Sequence, residues 1–276
     1  MTIAGHLEQA TYWNHVAGPN WVADQRLIDA ALHDFGRALL EHANLKPGQL
    51  VVDVGCGCGT TTIAIAKRCG RAIGLDISRP MLEAARERAD AVGVDALFLE
   101  VDASEYQLER SSVDVILSRF GMMFFESPTT AFSNMLRWLR PGGRLVAVCW
   151  QDATKNPWLS MPGQIARAYV DVPTRDIEDS AAFSLGDAGR LVGQLVQAGF
   201  SEVHLKELAY PLRIDGDLEH AYHFFIERAP IVSSLLSVDG RTSEAAIQAL
   251  HAAIAAHYDG SGVELGASAW LVQATR

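Results

Sequence analysis

The chain has no long apolar run and no run of basic residues longer than two. A membrane-spanning helix needs about 20 consecutive apolar residues, and no segment of these 276 residues approaches that length. Acidic residues outnumber basic ones by 33 to 23, which gives a formal net charge of -10. Nucleic-acid-binding surfaces neutralise phosphates with clustered basic side chains. The composition therefore argues against a membrane span and against broad nucleic-acid binding.

The sequence also has little of what marks secreted or metal-binding proteins. Residues 1–6 lack the charged start and apolar stretch of a secretory signal, so we expect a cytoplasmic protein. The four cysteines lack the His–Cys spacing of a zinc site, and no residue is predicted to bind a metal. We expect Cys56, Cys58, Cys69 and Cys149 to be small packed side chains.

The most informative segment is residues 51–60, which read VVDVGCGCGT. A short apolar run ends in glycines at alternate positions 55, 57 and 59, and a helix-compatible stretch follows at once. Such glycines allow a sharp turn and let a ligand approach bare backbone. A second apolar run ends in Asp76, 23 residues after Asp53, where a carboxylate can accept both hydroxyls of a ribose. The pattern predicts a nucleoside-type cofactor on a parallel α/β sheet.

The glycine spacing discriminates between cofactors. The dinucleotide fingerprint is G-x-G-x-x-G, whereas this chain has G-x-G-x-G with Thr60 in the third glycine slot. A pyrophosphate also needs a free helix N-terminus and sits poorly beside a carboxylate such as Asp53. These features favour a ligand that carries an amino group and a sulfonium.

Five ordered motifs resemble those of the class I S-adenosylmethionine-dependent methyltransferases. They are the glycine motif 51–60, the ribose-binding strand end GLDIS at 74–78, the pair Asp102-Ala103, the fourth strand VDVILS at 113–118 and the turn LRPGGRL at 139–145. The resemblance is to the small-molecule branch that includes ubiquinone/menaquinone-type methyltransferases. The fourth motif departs from the family's commonest form, and the absence of Asn/Asp-Pro-Pro-Tyr argues against methylation of DNA adenine or protein glutamine.

The resemblance implies a Rossmann-like α/β fold, with a doubly wound, mostly parallel seven-stranded sheet whose last strand is antiparallel and inserted beside the sixth. Predicted strands are 49–54, 71–76, 96–101, 113–118, 144–150, 201–210 and 263–273. Residues 1–45 are predicted as an N-terminal helical lid and 46–276 as the cofactor-binding domain, with helical cap insertions at about 151–182 and 211–260.

Helices are predicted from apolar periodicity and start signals. The predicted helices include 5–17, 21–43, 60–69, 78–91, 128–139, 158–170, 217–236 and 242–258. Ser78 and Ser127 stand where a hydroxyl can cap the helix that follows, each with a proline in the first turn.

By resemblance, a set of residues at the strand ends would bind S-adenosylmethionine and its product S-adenosylhomocysteine. The backbone of 55–59 would pass under the methionine moiety, Asp53 would face its amino group and Asp76 would take the ribose hydroxyls. Ile77 and Met81 would sandwich the adenine, and Asp102 would accept from its amino group. The full predicted set is Asp53, Gly55, Cys56, Gly57, Gly59, Asp76, Ile77, Met81, Asp102, Ala103 and Ser118.

The implied reaction is an in-line methyl transfer to an O, C or N atom of a small, partly apolar molecule. An acceptor with a high pKa needs a general base, usually histidine, and the candidates are His15, His220 and His223. Aromatic residues concentrate in the predicted lids, as expected for an apolar pocket. The candidate pocket residues are Tyr12, Trp13, Trp21, Arg119, Phe120, Trp150 and Tyr222. Arg119 fits either an acidic ligand or an ion pair at the cleft rim.

Two other functions stay open at this level. One is an NAD(P)-dependent oxidoreductase, which Thr60 and the segment 141–143 before strand five disfavour. The other is a non-catalytic S-adenosylmethionine-binding protein, because binding needs no general base. The sequence is compatible with a homodimer and specifies neither the acceptor, the base, the oligomeric state nor the pathway.

Overall fold

The protein is built around one seven-stranded sheet. The computed structural model describes residues 3–169, 181–227 and 244–276. The strands are β1 (Val51–Val54), β2 (Ala72–Asp76), β3 (Ala96–Glu100), β4 (Val113–Arg119), β5 (Leu139–Trp150), β6 (Ser201–Asp215) and β7 (Gly262–Thr275). Their order across the sheet is β3-β2-β1-β4-β5-β7-β6.

The pairing of the strands confirms the predicted mostly parallel, doubly wound sheet. β1 pairs in parallel with β2 and β4, β2 with β3, and β4 with β5, whereas β7 runs antiparallel to β5. The seventh strand lies beside the sixth, as predicted, and its other neighbour is the fifth. β1 and most of β4 are fully buried, as expected for central strands of a parallel sheet that is covered on both faces.

Helices lie in the connections between consecutive strands, except for the loop 101–112 between β3 and β4. The α-helices are α1 (Ile3–His15), α2 (Ala17–Ala23), α3 (Gln25–Ala31), α4 (His33–Ala43), α5 (Thr60–Cys69), α6 (Arg79–Val92), α7 (Pro128–Trp138), α8 (Pro157–Arg167), α9 (Ala188–Ala198), α10 (Leu218–Glu227) and α11 (Glu244–Ala255). Short 3-10 helices lie at Met122–Phe124, Ala153–Lys155 and Ala181–Phe183.

The prediction of two N-terminal helices was wrong, because the segment 3–43 forms four short ones. Val16, Asp24 and Leu32 each leave helical geometry, with ψ values of -70°, 21° and 10°. Backbone hydrogen bonds nevertheless continue across the last two breaks, as in the bonds from Ile28 N to Asp24 O and from Gly36 N to Leu32 O. Apolar periodicity indicates which face of a helix is buried. The same face stays buried on both sides of such a bend, so the periodicity does not reveal the bend.

Two local predictions also need correction. Ser78 and Ser127 occupy the N-cap positions of α6 and α7, but neither side chain makes a capping hydrogen bond. The hydroxyl of Ser127 pairs with that of Thr130 instead. β5 begins at Leu139 rather than at 144, with a register irregularity opposite β4 between Val113 and Val115.

The chain divides into two compact units. The first comprises Met1–Trp150, Leu185–Leu208 and Ala269–Arg276, and it includes the predicted lid segment 1–45. The second comprises Gln151–Ser184 and Ala209–Ser268, which overlap the two predicted cap insertions. Parts of these insertions and of the helices predicted at 158–170, 217–236 and 242–258 lie outside the described residues. Within the described ranges, no helix combines the length and the apolarity that a membrane crossing requires.

Candidate functional site

The carboxyl ends of β1, β2 and β4 meet at one edge of the sheet. Asp53 of β1 pairs with Gly74 on β2 and with Leu117 on β4, and Asp76 ends β2. In open α/β sheets, ligands bind at this carboxyl edge, next to the point where the strand order reverses. The order reverses between β1 and β4, so the predicted residue Asp53 borders that point and Asp76 lies one strand away, at the end of β2.

A turn of alternating glycines follows β1. Gly55, Gly57 and Gly59 have φ values of 68°, 53° and 78°, which side chains other than glycine rarely adopt. A Cβ on Gly55 would lie 2.5 Å from Cα of Gly121, in the loop after β4. The turn is anchored because the backbone N–H groups of residues 55 and 56 both donate to the carbonyl of Leu75. Close backbone packing therefore forms the sharp turn that the glycines predict, and its contact with a cofactor stays a prediction.

The carboxylate of Asp76 connects the end of β2 to the glycine turn. Its Oδ2 accepts a hydrogen bond from Gly57 N at 2.8 Å, and its Oδ1 accepts one from Ser78 N at 2.9 Å. Burial raises the pKa of this carboxyl group, and the backbone donors at residues 78, 57 and 77 counteract the rise. Each oxygen has a second lone pair. The group can therefore accept two further hydroxyl hydrogens.

Asp53 is a buried carboxyl group with one unused oxygen. Its Oδ2 accepts a hydrogen bond from the hydroxyl of Thr62 at 2.6 Å. Its Oδ1 has no hydrogen-bond partner among the residues that the structure describes. Burial raises the pKa of Asp53 to about 7, and the carboxylate of Asp76 adds to the rise against the opposing effects of Thr62 and Arg119. A buried acceptor without a partner is costly in isolation. The site thus suits a ligand that brings a donor or a positive charge.

Ser118 links the ends of β4 and β1. Its hydroxyl donates to the carbonyl of Val54 at 2.7 Å and accepts from Gly121 N at 3.3 Å. The side chain is fully buried. These bonds hold the two strand ends together, and the predicted contact of Ser118 with a cofactor stays a prediction.

Sequence reasoning missed an ion-pair network centred on Asp29 of α3. Both oxygens of Asp29 accept from the hydroxyl of Thr60, at 2.7 and 2.8 Å, and the carboxylate pairs with Arg88 at 2.9 Å and Arg119 at 3.3 Å. Burial alone would raise the pKa of Asp29, but Arg119, Thr60, Gln25 and Arg88 together hold it below its ordinary value. The ion-pair alternative for Arg119 is therefore the one observed.

The same network also forms hydrogen bonds to the end of the glycine turn. The guanidinium of Arg88 donates to the carbonyl of Cys58 at 2.6 Å and to the hydroxyl of Thr60 at 2.9 Å. Thr60 is the first residue of α5 and stands in the slot of the missing third glycine. The start of α5 is therefore tied to α3 and α6 through a carboxylate and a guanidinium.

The remaining cofactor candidates lie around this edge. The side chain of Met81 in α6 is buried against the turn, and a Cβ on Gly57 would lie 2.8 Å from its Cε. Asp102 accepts through Oδ1 from Ser104 N at 2.7 Å, and the carbonyl of Ala103 accepts from Asn134 at 3.0 Å. Ile77 directly follows Asp76 and is half-buried. Their contacts with adenine stay predictions.

Two groups of aromatic rings account for most of the pocket candidates in the first unit. Trp13 makes edge contacts with Tyr12, Trp21 and Phe124, with ring centroids 5.7, 6.1 and 5.1 Å apart. These rings form a half-buried cluster that includes the loop after β4. A second group is buried: Phe120 stacks on Trp150 at 3.8 Å, and Phe35 packs edge-on against both. Phe120 and Trp150 thus pack with α4.

The cysteines are buried free thiols. Burial raises the pKa of Cys56 well above its ordinary value and that of Cys58 to about 12. Burial acts in the same direction on Cys69 and Cys149. The predicted packing of these side chains in the turn and the core matches their burial. Across the described ranges, no group of three or more His, Cys, Asp or Glu residues could hold a metal ion.

The histidine candidates fall in different parts of the chain. His15 is exposed at the end of α1 in the first unit, whereas His220 and His223 are exposed on α10 in the second. Tyr222 is buried and stacks on His251 of α11 at 3.6 Å, and Nδ1 of His251 lies 3.8 Å from a carboxylate oxygen of Glu219. No sequence motif singles out His251, because its contact with Tyr222 joins two separate helices, α11 and α10. A general base stays a prediction.

The comparisons with known proteins agree with this geometry. Residues 51–143 match a protein family described as "Methyltransferase domain". Residues 51–143 form a methyltransferase domain. The match begins at β1 and covers the glycine turn, Asp76 and the strand β4. For residues 51–143, the match and the strand order confirm the predicted resemblance to class I methyltransferases.

Curated relatives of this methyltransferase domain act on different small molecules, according to their names. The chain is 30% identical over 169 residues to phosphoethanolamine N-methyltransferase 1 of Arabidopsis thaliana, which covers 60% of this chain and 32% of that protein. It is 25% identical over 210 residues to demethylmenaquinone methyltransferase of Renibacterium salmoninarum, covering 73% of this chain and 87% of that protein. The matched part of the chain thus corresponds to 32% of the length of the plant relative.

Solved methyltransferase structures share the fold. A phosphoethanolamine N-methyltransferase 2 from Haemonchus contortus, determined with S-adenosyl-L-methionine, superimposes with a TM-score of 0.55 at 19% identity. The superposition covers 88% of this chain and 52% of the nematode chain. At this level of identity, the likeness establishes the fold alone.

Proposed function

We propose that this protein is an S-adenosylmethionine-dependent methyltransferase that acts on a small, partly apolar molecule. The observation that carries the proposal is the placement of two strand-end carboxyl groups next to one glycine turn. Asp53 and Asp76 flank the turn, and Oδ1 of Asp53 is buried without a partner among the described residues. The family of residues 51–143 and the names of the relatives support the same conclusion.

The residues present fit the cofactor. S-adenosylmethionine carries an ammonium group, a sulfonium and a ribose with two hydroxyls. The buried acceptor of Asp53 matches the ammonium, and the half-buried carboxylate of Asp76 has free lone pairs for the hydroxyls. A side chain at Gly55 would fill the space taken by Gly121, so the turn presents backbone alone. Side chains at Gly57 and Gly59 would likewise meet Met81 and Phe98.

The same geometry disfavours a dinucleotide. A pyrophosphate binds at a helix N-terminus, where N–H groups and the helix dipole attract negative charge. At the start of α5, the hydroxyl of Thr60 is bonded to the carboxylate of Asp29, which lies beside this terminus. The buried carboxyl of Asp53 adds a second acidic group. Because Arg88 and Arg119 compensate the charge of Asp29, the unpartnered oxygen of Asp53 is the feature that favours a cationic ligand over an oxidoreductase's dinucleotide.

In this proposal the cofactor supplies the methyl group, and the chain's own residues orient the reactants and exclude water. Methyl transfer from a sulfonium discharges the donor's positive charge, so alignment of the acceptor matters more than strong charge stabilisation. The half-buried rings of Tyr12, Trp13, Trp21 and Phe124 offer an apolar wall beside the loop after β4. Such a wall suits an acceptor with an aromatic or lipid-like part.

The ubiquinone/menaquinone branch is one proposal for the acceptor class, and it is supported by the relative named demethylmenaquinone methyltransferase. The plant relative's name points to an amine instead. Catalysis by His15, His220 or His223 and a cytoplasmic location belong to the same proposal.

The test is methyl transfer from labelled S-adenosylmethionine to a panel of acceptors. The panel should contain phenols, quinols, amines and small acids, each assayed with wild-type protein and with Asp76→Ala. We expect label in at least one acceptor and a large loss in the variant. Binding of S-adenosylhomocysteine without turnover on any acceptor would instead favour the non-catalytic binding protein.

A further inference from the structure

The junction between α1 and α2 contacts the turn that follows β2. The side-chain amide of Asn14 donates to the carbonyl of Ile77 at 2.9 Å and to that of Ala10 at 2.8 Å. Its Oδ1 accepts from the backbone N–H of Arg79 at 2.9 Å. One amide group offers two N–H donors and one carbonyl. Each of these groups of Asn14 is therefore hydrogen-bonded, and two of the three bonds hold the turn.

Asn14 thereby performs the capping role that the local sequence assigns to Ser78. The first N–H groups of a helix lack partners within that helix. In α6 the N–H of Arg79 is satisfied by Asn14, 65 positions earlier in the chain. The hydroxyl of Ser78 points the other way and donates to the carbonyl of Trp13 at 2.8 Å. The two segments thus exchange hydrogen bonds in both directions.

The approach of the two segments is as close as backbone allows. A Cβ on Gly18 would lie 2.1 Å from the carbonyl oxygen of Trp13 and 2.4 Å from the hydroxyl of Ser78. Real Cβ contacts are never this short. Glycine at position 18 is therefore required for α2 to leave α1 at this angle while Ser78 keeps its hydrogen bond.

The turn that Asn14 holds also carries the ribose-binding carboxylate of the proposed function. Ser78 N donates to Oδ1 of Asp76, whose Oδ2 accepts from Gly57 N. A continuous set of hydrogen bonds therefore runs from α1 through the turn at 77–79 to the glycine turn. A shift of the 77–79 backbone would rotate the Asp76 carboxylate away from its ligand-facing position.

We propose that Asn14 is a positioning residue for Asp76, so that cofactor affinity depends on the docking of α1 onto the turn at 77–79. The proposal rests on the proposed function. Coupling of this kind is reciprocal: if docked α1 favours the bound ligand, the bound ligand stabilises docked α1 by the same free energy. Asn14 touches neither cofactor nor acceptor in this account and acts through the backbone of Ile77, Ser78 and Arg79.

The experiment compares Asn14→Ala with Gln9→Ala by isothermal titration with S-adenosylhomocysteine. Gln9 is a matched control, because its side chain accepts from the indole of Trp13 at 3.2 Å within α1. Loss of a helix cap typically shifts the equilibrium between the ordered and the disordered helix start by about fivefold to tenfold. If only the ordered turn binds the ligand well, the Kd shifts by the same factor. We expect the Kd of Asn14→Ala to rise by that factor and the Kd of Gln9→Ala to stay at the wild-type value.

A merely structural role gives a different result. It would lower the Tm of Asn14→Ala and leave the Kd unchanged, and this outcome overturns the proposal. If Asn14→Ala does not fold, Ser78→Ala removes the opposite bond to Trp13 and is expected to raise the Kd in the same way; an unchanged Kd there overturns the proposal too.

Hydrogen exchange gives an independent readout. In the wild-type protein, S-adenosylhomocysteine should slow exchange in 77–82 and in α1 together. In Asn14→Ala, the ligand should protect 77–82 less and leave α1 unprotected. Protection of 77–82 without any effect on α1 in the wild type would contradict the coupling. A wild-type protein that does not bind S-adenosylhomocysteine at all would refute the proposed function itself, which separates the two failures.

Discussion

The Oδ2 atom of Asp76 lies 2.8 Å from the backbone nitrogen of Gly57, which joins the end of β2 to the turn after β1. One carboxylate thus orders the glycine turn and, in the proposed function, also binds the ribose hydroxyls of the cofactor. Asp76→Ala removes both roles. Because lost hydrogen bonds of this kind cost about 1–3 kcal/mol, we expect S-adenosylhomocysteine to bind more weakly by that amount in isothermal titration.

A matched control for this substitution is Glu100→Ala. Glu100 is the register partner of Asp76 on β3 and is exposed at the strand end. Its removal should leave the Kd unchanged. Equal affinity in Asp76→Ala and wild type would show that the ribose assignment is wrong.

The buried carboxyl of Asp53 makes stability depend on pH. Its pKa is about 7 in the folded protein against 3.8 in an exposed carboxyl group. Between these values the folded state keeps a proton that the unfolded chain has released, so the free energy of unfolding falls as pH rises. Each unit of pKa difference is worth about 1.4 kcal/mol. An asparagine side chain does not titrate. The free energy of unfolding of Asp53→Asn should therefore fall less than that of wild type as the pH rises through this window.

Urea unfolding of both proteins at about pH 5 and about pH 8 measures the difference. Asp76 also has a raised pKa and is present in both proteins, so the comparison isolates Asp53. A parallel loss of stability in wild type and Asp53→Asn would contradict the assigned pKa.

Two glycine substitutions should change stability in opposite directions. A Cβ on Gly121 would lie 2.5 Å from the carbonyl oxygen of Val54 and 2.7 Å from Cα of Gly55. Such overpacking costs about 1–3 kcal/mol, so Gly121→Ala should lower the free energy of unfolding. A Cβ on Gly193, inside α9, would meet nothing within 4 Å among the described residues.

Gly193→Ala should therefore raise the free energy of unfolding by about 0.5–1 kcal/mol, because alanine loses less conformational entropy in a helix. Chemical denaturation of both variants provides the measurement. A Gly121→Ala variant as stable as wild type would contradict the packing described around Gly121, and a destabilised Gly193→Ala would contradict the open space described at Gly193.

The network on Asp29 should matter more than an exposed ion pair. Asp29→Asn leaves the guanidinium groups of Arg88 and Arg119 without their shared counter-charge. We expect a loss of about 1–3 kcal/mol in stability, with weaker binding of S-adenosylhomocysteine because the turn loses its support. Asp34→Asn is the control, since Asp34 pairs with Arg37 on the exposed face of α4.

Exposed pairs contribute about 0–1 kcal/mol, so Asp34→Asn should leave the Tm nearly unchanged. The two variants have identical changes in charge and can be compared directly in thermal unfolding. Equal effects would mean that the network contributes no more than a surface pair.

The core of this structure was predictable from local sequence signals. Each of these signals predicts the structure of its own segment. They are the glycines at 55, 57 and 59, the apolar runs of four or five residues, and the strand-end carboxyl groups of Asp53 and Asp76. Parallel strands then bring these residues to one edge whatever the details of the helices. The antiparallel last strand beside the sixth was implied by the family resemblance rather than by periodicity.

What the sequence did not reveal depends on contacts between distant segments. Asn14 bonds to the turn 63 and 65 positions away, and Asp29 bonds to Arg119 90 positions away. The sequence next to Ser78 predicts a helix cap, yet its hydroxyl donates to the carbonyl of Trp13, which tertiary packing brings close. Side chains with several partners of similar energy cannot be assigned before the fold brings those partners together.

The most direct test of the central claim is isothermal titration of the wild-type protein with S-adenosylhomocysteine, with NADH titrated in parallel. The account predicts saturable one-to-one binding of S-adenosylhomocysteine with a Kd in the range of about 1–100 μM and no heat of binding from NADH. Saturable binding of NADH, with no response to S-adenosylhomocysteine up to about 1 mM, would contradict it.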